Sequence, residues 1–226
     1  MKPYYDHNGI TIYNGDCLEI MPELEPVDLV VTDPPYNFTT ASAGNGKLNP
    51  WADLCNSAYW FSAWIKIAME RLRKKQGAIW EFSNWKTIPT ITKAVFDVGH
   101  KIESLLVWDK DWIGPGGARG LRPSYELVAL ICHSKFQIPD RGIYDIQKFP
   151  WSSQRKYHPA EKPLQLIKWL IKISGEGITT LDPFMGSGTT LVAAKALGRK
   201  AIGIEISEKD CEIAVGRLAQ EAIPFG

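Results

Sequence analysis

No run of apolar residues in this chain of 226 approaches the roughly 20 that a helical membrane span requires. The opening residues, Met1-Lys2-Pro3-Tyr4-Tyr5-Asp6, lack the basic and apolar stretches of a signal peptide. Cysteine is scarce, and Cys17, Cys55, Cys132 and Cys211 form no C-x-x-C pair. They read as reduced thiols of a cytosolic protein, which excludes a disulfide scaffold. No cluster of His and Cys at ligand spacing suggests a metal, and His7, His100, His133 and His158 have no partners that would give them chemistry. The chain has no full G-x-G-x-x-G, because Leu191 stands where the third glycine would be, and no Gly-Lys-Ser/Thr of a P-loop. A dinucleotide is therefore a weaker ligand here, and a nucleoside triphosphate weaker still. There is no internal repeat and no low-complexity tract. A net charge of +1 does not by itself announce a polyanionic partner.

What the chain does hold is concentrated at two turns. The apolar run Val27-Asp28-Leu29-Val30-Val31-Thr32 reads as a buried strand that stops at Asp33-Pro34-Pro35-Tyr36. The prolines stiffen the turn and leave their carbonyl oxygens outside the sheet ladder. Asp33 adds an acceptor and Tyr36 a flat face, a set suited to chemistry on a planar amino group. The bland alternative is an ordinary strand end stopped by proline. The second turn lies in Leu181-Asp182-Pro183-Phe184-Met185-Gly186-Ser187-Gly188-Thr189-Thr190, between a short strand at 178–181 and a helix at 189–197. Its glycines let backbone N–H groups approach a ligand beside a helix N-terminus. The next strand, 201–205, ends in Glu205. That acid follows Gly188 at close to the roughly 20-residue offset at which dinucleotide folds place an acid on ribose hydroxyls. A nucleoside-containing cofactor fits this pattern.

This ordered pair resembles the S-adenosylmethionine-dependent amino-methyltransferases of DNA, in the class whose catalytic motif precedes the cofactor motif, the beta class. Both motifs, D-P-P-Y and D-P-F-x-G-S-G-T, stand here without substitution. Asn14-Gly15-Asp16-Cys17-Leu18-Glu19 resembles the family's adenine-contacting turn, and His158-Pro159-Ala160-Glu161-Lys162-Pro163 its segment before the cofactor strand. Val107-Trp108-Asp109-Lys110 resembles a late strand of the catalytic half. The resemblance spans nearly the whole chain. It implies a catalytic set of Asp33, Pro34, Pro35 and Tyr36, with Asp33 and the Pro34 carbonyl accepting from the target amine. Tyr36 would stack on a base flipped from the duplex. It also implies that Phe184 packs along the cofactor, with Asp33 beside its methyl group. Gly186, Ser187, Gly188, Thr189 and Lys162 would hold its amino-acid portion and Glu205 its ribose. The Asp16 carboxylate and the Cys17 backbone would edge its adenine.

The implied activity is site-specific methyl transfer from S-adenosylmethionine to adenine N6 in double-stranded DNA, directly and in line. Cytosine N4 is the nearer alternative, because its amino chemistry is alike; members with that product more often carry Ser where Asp33 stands, which favours adenine. Methylation at cytosine C5 needs a Pro-Cys pair, and none of the four cysteines follows a proline. RNA and protein-glutamine amino-methyltransferases share a similar turn but usually place the cofactor motif first. The charge distribution agrees with DNA. Residues 110–162 carry nine basic groups against five acids, interleaved with Trp112, Tyr125, Phe136, Tyr144, Phe149, Trp151 and Tyr157.

Strands and helices alternate, so the expected fold is α/β: a circularly permuted, Rossmann-like methyltransferase sheet. It should be mainly parallel with an antiparallel edge strand and helices on both faces. The strands that carry the two motifs should be neighbours, with both sites at their carboxyl ends. Residues 1–226 read as a single domain, with a mobile loop at about 37–56 and a short target-recognition segment at about 136–157. Asp16 with Glu19 reads as a capping box. Helices are expected at 58–75, 85–98 and 163–174. Trp60 and Trp64 share one face of the first of these, which could pack on the sheet or meet a second copy. A homodimer is expected, since a recognition segment this short grips little DNA. The family setting adds a cognate restriction nuclease as a companion.

Overall fold

The computed structural model describes residues 1–35, 57–73, 75–114, 119–151 and 161–220. Tyr36, the loop at 37–56, the end of the recognition segment at 152–157 and the stretch 158–160 lie outside the described residues. Among the described residues, nine strands form one sheet. They are β1 (Tyr5–His7), β2 (Ile10–Asn14), β3 (Leu29–Thr32), β4 (Ala78–Ser83), β5 (Ile102–Asp109), β6 (Tyr125–Cys132), β7 (Ile146–Lys148), β8 (Thr180–Asp182) and β9 (Ala201–Glu205). Across the sheet they run β1-β2-β9-β8-β3-β4-β6-β5-β7. The helices are α1 (Cys17–Ile20), α2 (Ala58–Arg71), α3 (Ile88–Asp97), α4 (Leu164–Ile173), α5 (Thr189–Ala196) and α6 (Glu208–Ala219).

The permuted order is present. The early strand β2 pairs in parallel with the last strand, β9, from Ile10↔Ala201 to Asn14↔Glu205. β3 and β8 are parallel neighbours through Leu29↔Thr180 and Val30↔Leu181, so the two motif turns leave adjacent strands at the same rim. Antiparallel pairing extends beyond the one expected edge strand. β1 is that edge, but β6 lies inside the sheet, antiparallel to both β4 and β5. β6 returns directly from β5, so it must run backwards and fills the place between β5 and β4.

β3 reads Leu-Val-Val-Thr because it is buried on both faces. One face packs against α4, α5 and α6, with Leu166, Ile167, Leu170 and Ile171 forming the inward stripe of α4. The other, which carries Val30, Ile79 and Leu181, lies under α1, α2 and α3. Burying each such side chain contributes roughly 1.5–3 kcal/mol. α5 comes unusually close to the sheet, since a Cβ on Gly203 of β9 would collide with Met185 Sδ and Leu191.

Some helix ends differ from the sequence reading, each for a local reason. α2 stops at Arg71, not at residue 75, because Val27 N–H donates to Arg71 O and Arg73 N–H to Val27 O. That pairing draws the chain out of the helix. α3 begins at Ile88, because the Asn84 side chain first takes the N–H groups of Lys86 and Thr87 in a turn. Asp16 caps α1, but its carboxylate accepts from Leu18 N–H (2.8 Å) and not from the Glu19 N–H of the expected capping box. The Trp60–Trp64 face packs inward. Trp64 is fully buried, and both indoles lie 5.5 Å from the Phe184 ring. This face is therefore core and offers no dimer surface.

Candidate active site

The carboxyl rim of β2, β9, β8 and β3 gathers the motif residues. At β9 the Glu205 carboxylate accepts from Gly186 N–H and Ser207 N–H, each at 2.9 Å. Burial raises its pKa, and those two N–H groups pull it part of the way back. On the adjoining strand Gly15 N–H donates to Glu205 O, which sets Asp16 and Cys17 beside the acid. Burial, then Asp16, push the Cys17 thiol up to about 12, so it remains a protonated thiol.

The glycine loop between β8 and α5 is pinned from below. Asp182, fully buried, accepts from Thr32 Oγ1 (2.8 Å), Thr190 Oγ1 (2.6 Å) and Phe184 N–H (3.2 Å). Burial lifts its pKa to about 6, against the pull of those three donors. Gly186 and Gly188 both have positive φ, +50° and +79°. Among the described residues, nothing lies within 4 Å of where a Cβ on Gly186 would stand, so the loop is open there. A Cβ on Gly188 would sit 2.8 Å from Ala214, which fixes the loop against α6. Ser187 and Thr189 are held by Arg217 of α6. Its Nη1 donates to Ser187 O (2.8 Å), Ser187 Oγ (2.9 Å) and Thr189 Oγ1 (3.1 Å), and its Nη2 pairs with Glu161 at 2.6 Å.

At the end of β3, Asp33 leaves the strand ahead of the buried Pro34 and the half-buried Pro35. Lys162 Nζ donates to Asp33 Oδ2 at 2.5 Å and lies 3.5 Å from Glu126 Oε2. Glu126 Oε1 in turn takes Lys110 Nζ at 2.5 Å. The Lys162 and Asp33 side chains are only 10% and 26% exposed, so this chain of alternating charge is largely shielded from water. Burial works against the Lys162 ammonium, yet Asp33 and Glu126 outweigh it and raise its pKa. Burial likewise opposes the Glu126 anion, and Lys162 and Lys110 overcome it and lower its pKa.

The sequence brought Asp33, Phe184, the glycine loop and Glu205 to this rim, and the fold places them there. Tyr36 lies outside the described residues. Lys162, expected at the amino-acid end of a cofactor, has its ammonium on Asp33 and Glu126. Sequence reasoning missed Arg217 and Glu126, and noted Lys110 only as the end of a strand. Each acts on a residue remote in the chain, and no local pattern marks such a meeting. Of the interleaved aromatics, Phe136, Phe149 and Trp151 pack against the core, and Trp151 stacks on Trp112 at 4.3 Å. Tyr144 remains exposed.

A permuted α/β sheet with an acid facing a glycine loop, beside a shielded aspartate before two prolines, defines a methyltransferase of the Rossmann-like class. Residues 27–152 and 141–216 match the model of the DNA methylases that act at N6 or N4. The chain belongs to this N6/N4 DNA methylase family. It is 30% identical to the type II methyltransferase M2.MboI of Moraxella bovis, over 91% of this chain and 86% of that one. It is 28% identical to the DNA adenine methyltransferase YhdJ of Escherichia coli, over 95% and 84%. The solved structure of M1.HpyAVI with SAM superposes with a TM-score of 0.69 at 27% identity, covering 92% of this chain and 99% of that one.

Proposed function

We propose that this DNA methyltransferase acts on adenine N6 in duplex DNA, in a restriction-modification setting. The observation that carries this reading is Asp33 at the first position of the proline turn, held beside the cofactor loop by Lys162. The cofactor is S-adenosylmethionine, which when bound supplies a methyl group already activated on a sulfonium. The residues present fit it. Glu205 spends one lone pair of each oxygen on backbone N–H groups and keeps others for ribose hydroxyls. Among the described residues the loop is open at Gly186, and Phe184 gives an apolar wall stiffened by Trp60 and Trp64. Asp16, whose Oδ1 takes Leu18 N–H, stands at the same rim, where its carboxylate would edge the adenine.

An exocyclic amine is a poor nucleophile because its lone pair is delocalised into the ring. Asp33 and the Pro34 carbonyl accept its hydrogens, favour a pyramidal nitrogen and free that lone pair. Asp33 need not be a strong base, since the proton becomes acidic only as the N–C bond forms. Lys162 orients the Asp33 carboxylate, so the acceptor is fixed before the base arrives. Tyr36 stacks on the flipped base. Aspartate at this position favours adenine over cytosine N4, and the adenine-specific relative agrees with that choice. Nucleoside analysis of DNA methylated by the enzyme tests it: N6-methyladenine is expected, and N4-methylcytosine would replace this reading.

We further infer that the enzyme works as a cytoplasmic homodimer. With the Trp60–Trp64 face buried, this reading rests on the short recognition segment; Tyr59 of α2 and Phe96 of α3 are large apolar side chains left 85% and 77% exposed. Sedimentation should show twice the 25.4 kDa chain mass at micromolar concentration. A monomer unchanged by DNA would refute the dimer.

A further inference from the structure

Glu81 has no part in the chemistry described so far. It stands in the middle of β4, among Ala, Ile, Trp, Phe and Ser. Its side chain is 0% exposed, and among the described residues neither carboxylate oxygen has a hydrogen-bond partner. The register sets it beside Thr32, the residue before Asp33, on one side and beside Ala129 of β6 on the other. Alternation puts it on the face of Ile79, under α2 and α3. Those helices turn Lys66, Glu70, Lys93 and Asp97 to solvent and cover this face with apolar residues such as Trp64 and Ile91. The Trp64 indole Nε1 is itself buried without a partner among the described residues. Asp33 is the titratable group whose charge reaches Glu81, with Lys162 and Asp182 beside Asp33. An ionised carboxylate is strongly unfavourable in such a place. Burial, then Asp33, push the Glu81 pKa well above the usual carboxylate range. An acid kept neutral next to a reacting centre, where leucine would pack without this penalty, marks a functional position.

We propose that Glu81 is a positioning residue that carries a proton in the free enzyme, yields it when a sulfonium binds, and regains it on turnover. The proposal rests on the methyl-transfer reading. In that step the S–CH₃ bond breaks and its electron pair stays on sulfur. The N–CH₃ bond forms, and the amine gives up one N–H proton. A positive charge on sulfur is thereby exchanged for a proton beside Asp33. While the sulfonium is present, its charge joins Lys162 in offsetting Asp33, so Asp33 opposes a charge on Glu81 less. Once sulfur is neutral, Lys162, which Asp33 shares with Glu126, is the cation left to offset Asp33, and Asp33 again opposes a charge on Glu81. Asp33, at the amine, meets the proton first, and Glu81 holds it in the resting state. One proton leaves as the cofactor enters and one is recovered, so the buried charge stays constant through the cycle.

Titration calorimetry in buffers of different ionisation heat counts the protons exchanged on binding. S-adenosylmethionine and S-adenosylhomocysteine carry the same kinds of titratable group and differ in one methyl group and the positive charge it puts on sulfur. Without DNA, the wild type should release more of a proton with the first ligand than with the second. Glu81→Gln and Glu81→Leu should bind both ligands and lose that difference. In infrared difference spectra of the wild type, a protonated-carboxyl band should disappear with the sulfonium ligand only. Equal proton counts for the two ligands in the wild type, or a difference that survives in either variant, would overturn the proposal. If neither ligand binds the wild type, the methyl-transfer reading itself fails, and the proposal goes with it.

Discussion

Arg217→Met offers the sharpest test of how the cofactor loop is held. The substitution keeps much of the side-chain volume but removes the guanidinium. Three acceptors on Ser187 and Thr189 then lose a charged donor, and Glu161 loses its 2.6 Å partner. Arg217 and Glu161 are 8% and 16% exposed, so water replaces little of what is lost. Leaving one member of a buried ion pair alone costs about 3–5 kcal/mol. For a chain of this size each kcal/mol moves Tm by about 2–4 °C. The variant should therefore melt roughly 6–20 °C below the wild type. A loosened Ser187–Thr189 segment should also weaken cofactor binding by about tenfold or more, since each decade needs only about 1.4 kcal/mol. Differential scanning calorimetry and ligand titration measure the two effects. Combining Arg217→Met with Glu161→Gln should give a coupling of about 1–3 kcal/mol, because each single change strands the other group. The reasoning is refuted if Arg217→Met melts within a degree or two of the wild type and binds S-adenosylmethionine with unchanged Kd.

Asp33→Ala should abolish methyl transfer to duplex DNA while leaving the circular dichroism spectrum native; turnover near the wild-type rate would remove Asp33 from the chemistry. Glu205→Ala should fold and lose cofactor affinity by about a hundredfold, in line with the loss of charge-assisted hydrogen bonds worth about 1.5–3 kcal/mol each; unchanged titration would place the ribose elsewhere. Asp182 should leave a signature in stability against pH. Its folded value of about 6 lies above the ordinary 3.8, so the unfolded state gives up the proton first. The fold is then penalised increasingly as pH rises from about 4 to about 6, and by a constant amount above, about 3 kcal/mol for a shift of roughly two units. Asp182→Asn should flatten that slope in urea melts; a slope identical to the wild type would show that Asp182 does not titrate in this window.

Much of the fold was legible because buried strands advertise themselves. The bounds of β9 agree with the sequence reading to the residue, since Ala-Ile-Gly-Ile-Glu is apolar up to its functional acid. The edge strands β1 and β7 were not, because Tyr-Asp-His and Ile-Gln-Lys are short and half wet, and their pairing comes from the neighbouring strand. In the site, Asp33, Phe184 and Glu205 were visible because fixed spacing within a turn carries their chemistry. Glu81 was invisible for the opposite reason: only the register with Thr32 puts it beside Asp33. The Trp60–Trp64 pair left two outcomes open at the level of helix periodicity. Phe184, more than a hundred residues later in the chain, decides between them.

The strand order has a consequence for how the molecule comes into being. β2 and β3 are made early, yet two strands separate them, and those two, β8 and β9, are made last of the nine. Until β8 and β9 arrive, the nascent sheet has a gap at its middle, and the pockets of Asp16 and Asp33 are halves without walls. Closing the gap joins residues nearly two hundred positions apart, as in Asn14↔Glu205, a topology that makes folding slow. The proposed cofactor site lies across this seam, with Asp16 and Asp33 on the early rim and Glu205 on the late one. A ligand that binds only the closed sheet draws the folding equilibrium towards closure by mass action. Methyl donor in the cell would then act twice on this enzyme, as the reagent it consumes and as the clasp that completes its assembly.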